Sequence, residues 1–174
     1  SIAKKNISKK RFKLINSKVD KSEKFFNKKF DLIISIQTLY YLNNQDLKDR
    51  LNSFNKILKK NGLVFFTMMS KENNYFKKYS DKITGKDGMT LIDLSKDKNY
   101  TKRQKPVSHK HYINFIKNEN ELKNKFRLFK TLSTGSYDLR LENLNKSEHH
   151  YTFLGKKNKK IISRIRNLLL ILNL

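Results

Sequence analysis

The period of hydrophobic and polar positions changes twice within residues 30–70, FDLIISIQTLYYLNNQDLKDRLNSFNKILKKNGLVFFTMMS. Phe30–Ser35 is a short apolar run that closes on a polar residue. Continuous apolarity over so few positions suits a strand covered on both faces, as in a parallel sheet. Leu47, Leu51, Phe54 and Leu58 then recur at helical spacing between Lys48, Asp49, Arg50, Lys59 and Lys60. Asn44 suits the helix cap, with Asp46 in the positive first turn. Asn61-Gly62 suits a left-handed stop near residue 60. Leu63–Met69 is a second β-prone run. The pattern predicts a βαβ unit with Leu32–Ser35 and Val64–Met68 as neighbouring strands joined by a 44–60 helix, right-handed as nearly all such units are.

The flanks are less regular. Residues 2–10 read as a helix end, with Ile2, Ala3 and Ile7 on one side, and Phe12–Asn16 as a short strand. Residues 70–108 form a long polar stretch. Within it Tyr75, Phe76 and Tyr79 cluster at helical spacing, Met89–Leu94 reads as a strand, and KDKNYTKRQKP as a charged loop. Loops this long are functional or unstructured. Asn118 caps a helix through Phe126, with Glu119 and Glu121 in its first turn and Leu122 and Phe126 inward. Leu128–Leu139 and Tyr151–Leu154 read as two strands. In residues 159–174, Ile161, Ile162, Ile165, Leu168, Leu169 and Leu172 make a wide helical stripe flanked by Lys159, Lys160, Arg164 and Arg166. Such a helix packs on its own domain or a partner, or lies on an anionic membrane surface.

The ordered set FDLIIS, LYYL, a helix ending ILKKNG, then LVFFTMM resembles the fourth and fifth strands of the class I S-adenosylmethionine-dependent methyltransferases. The ending ELKNKFRLFKTLSTGSYDL followed by HHYTFLGKK is similar to that family's antiparallel strands six and seven, where strand seven inserts between five and six. The resemblance implies an α/β, Rossmann-like sheet seen in part, strands three to seven, with an insertion after strand five. Residues 1–156 would be the C-terminal part of the methyltransferase domain, 70–112 an insertion or lid, and 157–174 a separate basic amphipathic helix. The implied activity is methyl transfer from S-adenosylmethionine to a small-molecule acceptor. Two family features have no counterpart. The five glycines, Gly62, Gly85, Gly88, Gly135 and Gly155, do not form the glycine-rich turn after strand one, which lets backbone approach the ligand. Nor is there a strand-two acidic residue for the ribose. The 174-residue chain is therefore expected to be a piece of a longer enzyme, binding the cofactor poorly and inactive alone.

Composition adds a second class. Lys and Arg number 40 against 15 Asp and Glu, a formal charge of +25, which invites nucleic acid or an anionic membrane as partner. Only seven of the 40 are Arg, the residue of bidentate base contacts. Lys and Asn are abundant, with one Ala and one Pro, the bias that AT-rich codons produce. The charge thus reads mainly as solvated surface. A non-catalytic, methyltransferase-like binder of RNA or membrane is the alternative function. Without cysteine there is no disulfide, thiolate nucleophile or cysteine zinc site. No apolar run reaches the roughly 20 residues of a membrane span, and SIAKKNISKKRF lacks a signal-peptide core. A cytoplasmic protein is expected.

Methyl transfer from a sulfonium needs alignment and exclusion of water more than acid–base groups. By the resemblance, Ser17, Lys18 and Val19 lie in the adenine-side loop, and Ser35, Ile36 and Gln37 at the cofactor's methionine end. Tyr40 and Tyr41 stand at the mouth, where an aromatic face attracts a sulfonium or merely packs. Thr67, Met68 and Met69 border the acceptor. Among His109, His111, His149 and His150 there is no zinc-binding spacing, so no metal is expected. His111, beside Tyr112 after the insertion, is the candidate acceptor base.

Overall fold

The computed structural model describes residues 28–97, 109–140 and 147–158. The expected elements at 2–10, Phe12–Asn16 and 159–174 fall outside them. Among the described residues the main sheet has four strands: β1 (Phe30–Ser35), β2 (Leu58–Met69), β6 (Phe129–Arg140) and β7 (Ser147–Lys157), in the order β1-β2-β7-β6. β1 and β2 are parallel, Leu32 to Ser35 facing Leu63 to Phe66. The helix α1 (Asn44–Ile57) connects them. The predicted βαβ unit is thus present. β7 lies antiparallel between β2 and β6, the placement that the hairpin ending implies.

Three features differ from expectation. The cap of α1 is Asn43, whose side chain accepts from the Asp46 N–H at 2.8 Å, and not Asn44. The helix ends at Ile57, and Asn61-Gly62 lies within β2. Leu58 already pairs with Phe30, and the register then jumps, so that Leu32 faces Leu63. Residues 59–62 bulge opposite Asp31, and Lys59 reaches its carboxylate at 2.9 Å. A Cβ on Gly62 would come within 2.7 Å of Leu58 and 3.1 Å of the Asp31 carbonyl oxygen. Glycine serves close approach here, not a left-handed turn. Finally, β1 is covered on one face only: Leu32 and Ile34 are 45% and 57% exposed. Among the described residues β1 stands at the end of the sheet order.

The described part of the stretch after β2 is folded. It holds a short helix α2 (Asn74–Tyr79) and a second, antiparallel sheet of β3 (Ser80–Thr84), β4 (Thr90–Asp93) and β5 (Lys110–Ile113), in that order. The expected strand at Met89–Leu94 is β4. The helix α3 (Glu119–Lys125) follows, capped by Asn118 accepting from Glu121 N–H at 3.0 Å, as read from the sequence.

One core joins these parts. Leu47 and Leu51 of α1, Val64, Phe66 and Met68 of β2, Ile92 of β4, Ile113 of β5, and Phe115, Leu122, Phe126, Phe129 and Phe153 all belong to it. Phe66 is its centre, with Phe54, Phe126, Phe129 and Phe153 rings 5.2–6.4 Å away. Fully burying each such ring or leucine contributes about 1.5–3 kcal/mol. The lower end of α1 is closed by Lys157, whose Nζ donates to the carbonyls of Asn55 and Leu58, a cation at the negative helix end.

Candidate functional site

In an open α/β sheet, ligands bind beyond the carboxyl ends of the strands. Here that edge is formed by the chain after β1 and the end of β2. Ser35 closes β1, and its Oγ lies 2.5 Å from Thr38 Oγ1. Gln37 follows with φ of 53°, in the left-handed region. For a residue with a Cβ this costs about 1–2 kcal/mol. What holds it is its backbone N–H, which donates to Thr67 Oγ1 of β2 at 2.8 Å. Strain of this kind, fixed by surrounding contacts, concentrates at ligand sites. Ser35, Gln37 and Thr67 are thus brought together by direct bonds. Ile36 is exposed beside them, while Met68 and Met69 are buried.

A single 3-10 turn, Leu39–Tyr41, comes next. The two tyrosines part company there: Tyr40 is 4% exposed and Tyr41 55%. Their rings stay 4.6 Å apart. Burial, then the charge of Tyr41, holds the Tyr40 hydroxyl far above its ordinary pKa, so it is a neutral donor.

The second sheet is fastened over this turn. Asn114, just past β5 and fully buried, donates its N–H to the Tyr40 carbonyl at 2.8 Å. Its Nδ2 donates to the Leu42 carbonyl and Asn44 Oδ1, both at 3.1 Å. Lys125 Nζ donates to Asn114 Oδ1 at 2.8 Å and to Asn44 Oδ1 at 2.9 Å. Burial pulls the pKa of this lysine down. Asp87 adds a contact on α1, accepting from the Gln45 N–H at 3.2 Å. The insertion is therefore a folded cover joined to the residues that follow β1.

The start of β7 reaches the same edge. His150 pairs with Met69 of β2 and Tyr137 of β6. It is fully buried, stacked on Tyr137 at 5.1 Å and 8°, with Tyr40 at 6.0 Å. The strand begins at Ser147, four residues earlier than the pattern suggested, so the adjacent His149 and His150 belong to it. Sequence reasoning noticed the pair but assigned it no role. Strand alternation puts one of the two inward, and the structure shows it is His150. Asn114 and Asp87 were missed altogether, since an isolated polar residue carries no signal of a partner some 70 or 40 positions away.

His111 lies on β5 opposite Ile92, in the second sheet. Ser17, Lys18 and Val19 lie outside the described residues. Among the described residues no group of three or more metal-ligating side chains stands close enough to hold an ion, and no helix is long and apolar enough to cross a membrane. A groove of about 790 Å³ runs between α1 and α3, lined by Leu47, Leu51, Lys125, Leu128 and Asn158 among others. None of Ser35, Gln37, Thr67 or His150 lines it, so the chemistry is sought at the strand ends.

Comparison with known proteins bears on the fold. Residues 1–66 match the family model described as a methyltransferase domain. A search of curated proteins finds no match. Among solved structures, an S-adenosylmethionine-dependent methyltransferase from Methanosarcina mazei superposes with a TM-score of 0.54 at 12% identity, over 76% of this chain and 62% of that one. A protein from Pyrococcus horikoshii gives 0.50 at 13% identity, over 75% and 53%. At these identities the likeness is one of fold, and the chain spans less than two thirds of either relative. The described residues thus have the fold of the class I S-adenosylmethionine-dependent methyltransferases, and residues 1–66 match their methyltransferase domain.

Proposed function

We propose that the protein that carries this chain transfers a methyl group from S-adenosylmethionine to a small-molecule acceptor. The single observation that carries the reading is the strained, doubly fastened turn after β1: Gln37 at φ of 53° tied to Thr67, at the carboxyl edge of a methyltransferase-type sheet. The residues present suit the cofactor's methionine end. Ser35 and the Gln37 N–H are internally bonded, while Ile36 and Tyr41 are exposed. In this reading Ser17, Lys18 and Val19 serve the adenine side, and Ser35, Ile36 and Gln37 the methionine end. Tyr40, Tyr41, Thr67, Met68 and Met69 border the acceptor, and the second sheet carries His111 on β5. Residues 1–156 belong to the methyltransferase domain, with 70–112 as its lid and 157–174 as an appended basic segment. The cofactor supplies an already activated methyl. The chain's own residues align the acceptor, and the folded cover keeps water out.

The test is calorimetry with S-adenosylhomocysteine, the demethylated cofactor, on the full-length protein. Binding is expected, weakened by Gln37→Ala and kept in Tyr41→Ala, with melting temperature unchanged in both. No binding at millimolar concentration refutes the proposal. Turnover in the same variants should fall about tenfold, or about 1.4 kcal/mol of transition-state stabilisation.

A further inference from the structure

His150 holds an unmet acceptor. Its Nδ1 lies 2.8 Å from the Glu148 carbonyl oxygen. A carbonyl only accepts, so Nδ1 carries the proton and donates it. In a neutral imidazole this leaves the lone pair on Nε2. That atom is buried with no hydrogen-bond partner among the described residues. Burial also lowers the pKa of the ring, which keeps it neutral near pH 7. Native proteins seldom leave a buried polar atom unmatched, and one that persists calls for a ligand, a water or a catalytic role. The surroundings favour the last. His150 sits at the end of β2, in ring contact with Tyr40 of the turn that follows Gln37. That turn is held shut by Asn114 of the cover.

Resting on the methyl-transfer reading, we propose that His150 takes the proton of the methyl acceptor, which makes the acceptor a protic nucleophile, a hydroxyl or an amine. The acceptor's lone pair forms the new bond to the methyl carbon. The carbon–sulfur bond breaks, and its electron pair returns to sulfur, which becomes a neutral thioether. The acceptor's proton passes to Nε2, and the resulting imidazolium keeps its Nδ1–H on the Glu148 carbonyl. One positive charge has moved from sulfur to imidazole, and the total is unchanged.

The test uses the full-length protein with nitrogen-15-labelled histidine. NMR should show His150 as the Nδ1–H tautomer with a bare Nε2. With S-adenosylhomocysteine present, phenol or ethanolamine should shift the Nε2 resonance in the direction of an accepted hydrogen bond, whereas anisole, which has no O–H, should not. An Nε2–H tautomer, or equal responses to phenol and anisole, overturns the proposal. Whichever protic probe shifts the resonance should accept labelled methyl from S-adenosylmethionine. His150→Gln should then lower kcat at least about 100-fold, the usual scale of a lost general base, and abolish the acidic limb of the pH–rate profile. Loss of that limb in His111→Gln instead, or no transfer to the probe, overturns it too. Melting curves identify a variant that is unfolded, in which case the tautomer and probe shifts of the unmutated protein decide. Failure to bind S-adenosylhomocysteine would count against the methyl-transfer reading, while the tautomer and phenol–anisole comparison still judges His150.

Discussion

Asn114→Ala removes three side-chain hydrogen bonds from a position with no solvent exposure. Two are neutral, from Nδ2 to the Leu42 carbonyl and to Asn44 Oδ1, each worth about 1 kcal/mol net. The third is charge-assisted, from Lys125 Nζ to Oδ1, at about 1.5–3 kcal/mol. The lower end applies, because Lys125 keeps its bond to Asn44 Oδ1. The backbone bond from Asn114 to Tyr40 survives the substitution. The expected loss is about 2–4 kcal/mol, read as a lower urea midpoint with an unchanged slope. Its location matters as much as its size. Because the side chain joins the second sheet to the turn after β1, amide exchange should accelerate first in β4, β5 and Leu39–Leu42, before β6 and β7. Asn114→Asp keeps an acceptor for Lys125 but loses the donors, and should fall between. A loss below about 0.5 kcal/mol would refute the ledger of bonds. A full loss spread evenly over β6 and β7 would refute the idea of a fastened cover, since Asn114 would then be an ordinary member of the global core.

Three further outcomes follow from the same structure. Leu51→Ala should cost about 2–5 kcal/mol, as for a well-buried leucine, with near-normal turnover in the folded fraction, because Leu51 belongs to the core and not the strand ends. Gly155→Ala should destabilise by about 1–3 kcal/mol through overpacking, since its Cβ would stand 2.5 Å from the buried Phe153 ring and 3.2 Å from Phe129; equal thermal midpoints would contradict this. Stability should fall on acidification through His150: its folded pKa is depressed by burial, so the stability it contributes is present above the unfolded imidazole value of about 6.5 and lost as pH falls toward the folded value. Glu148 and Asp138 oppose the shift and His149 adds to it; His150→Gln should flatten this part of the urea-midpoint profile, and an unchanged profile would contradict the burial argument.

Local chemistry made much of this chain readable in advance. The continuous apolarity of FDLIIS, the helical recurrence of Leu47 and Leu51, and the Asn118 cap with its two glutamates act through neighbours a few positions away, so their elements appear where the pattern puts them. The order of strands at the end of the chain was legible only through a resemblance. Other features depended on contacts remote in sequence. Asn61-Gly62 has the composition of a helix stop, yet pairing of Leu58 with Phe30 drew the chain into the sheet first, because a ladder bond outweighs a propensity of a few tenths of a kcal/mol. Tyr40 and Tyr41 are the same residue in the alphabet, and only the fold, which sets the Tyr40 ring beside His150 of β7, buries one and leaves the other exposed. His149 and His150 are likewise adjacent and identical, and strand register alone turned His150 into the core. The sequence by itself determined the βαβ unit and the capped helices, since these answer to local period. The tertiary structure decided which polar groups meet at the strand ends, since burial and register are set by partners that the linear pattern does not name.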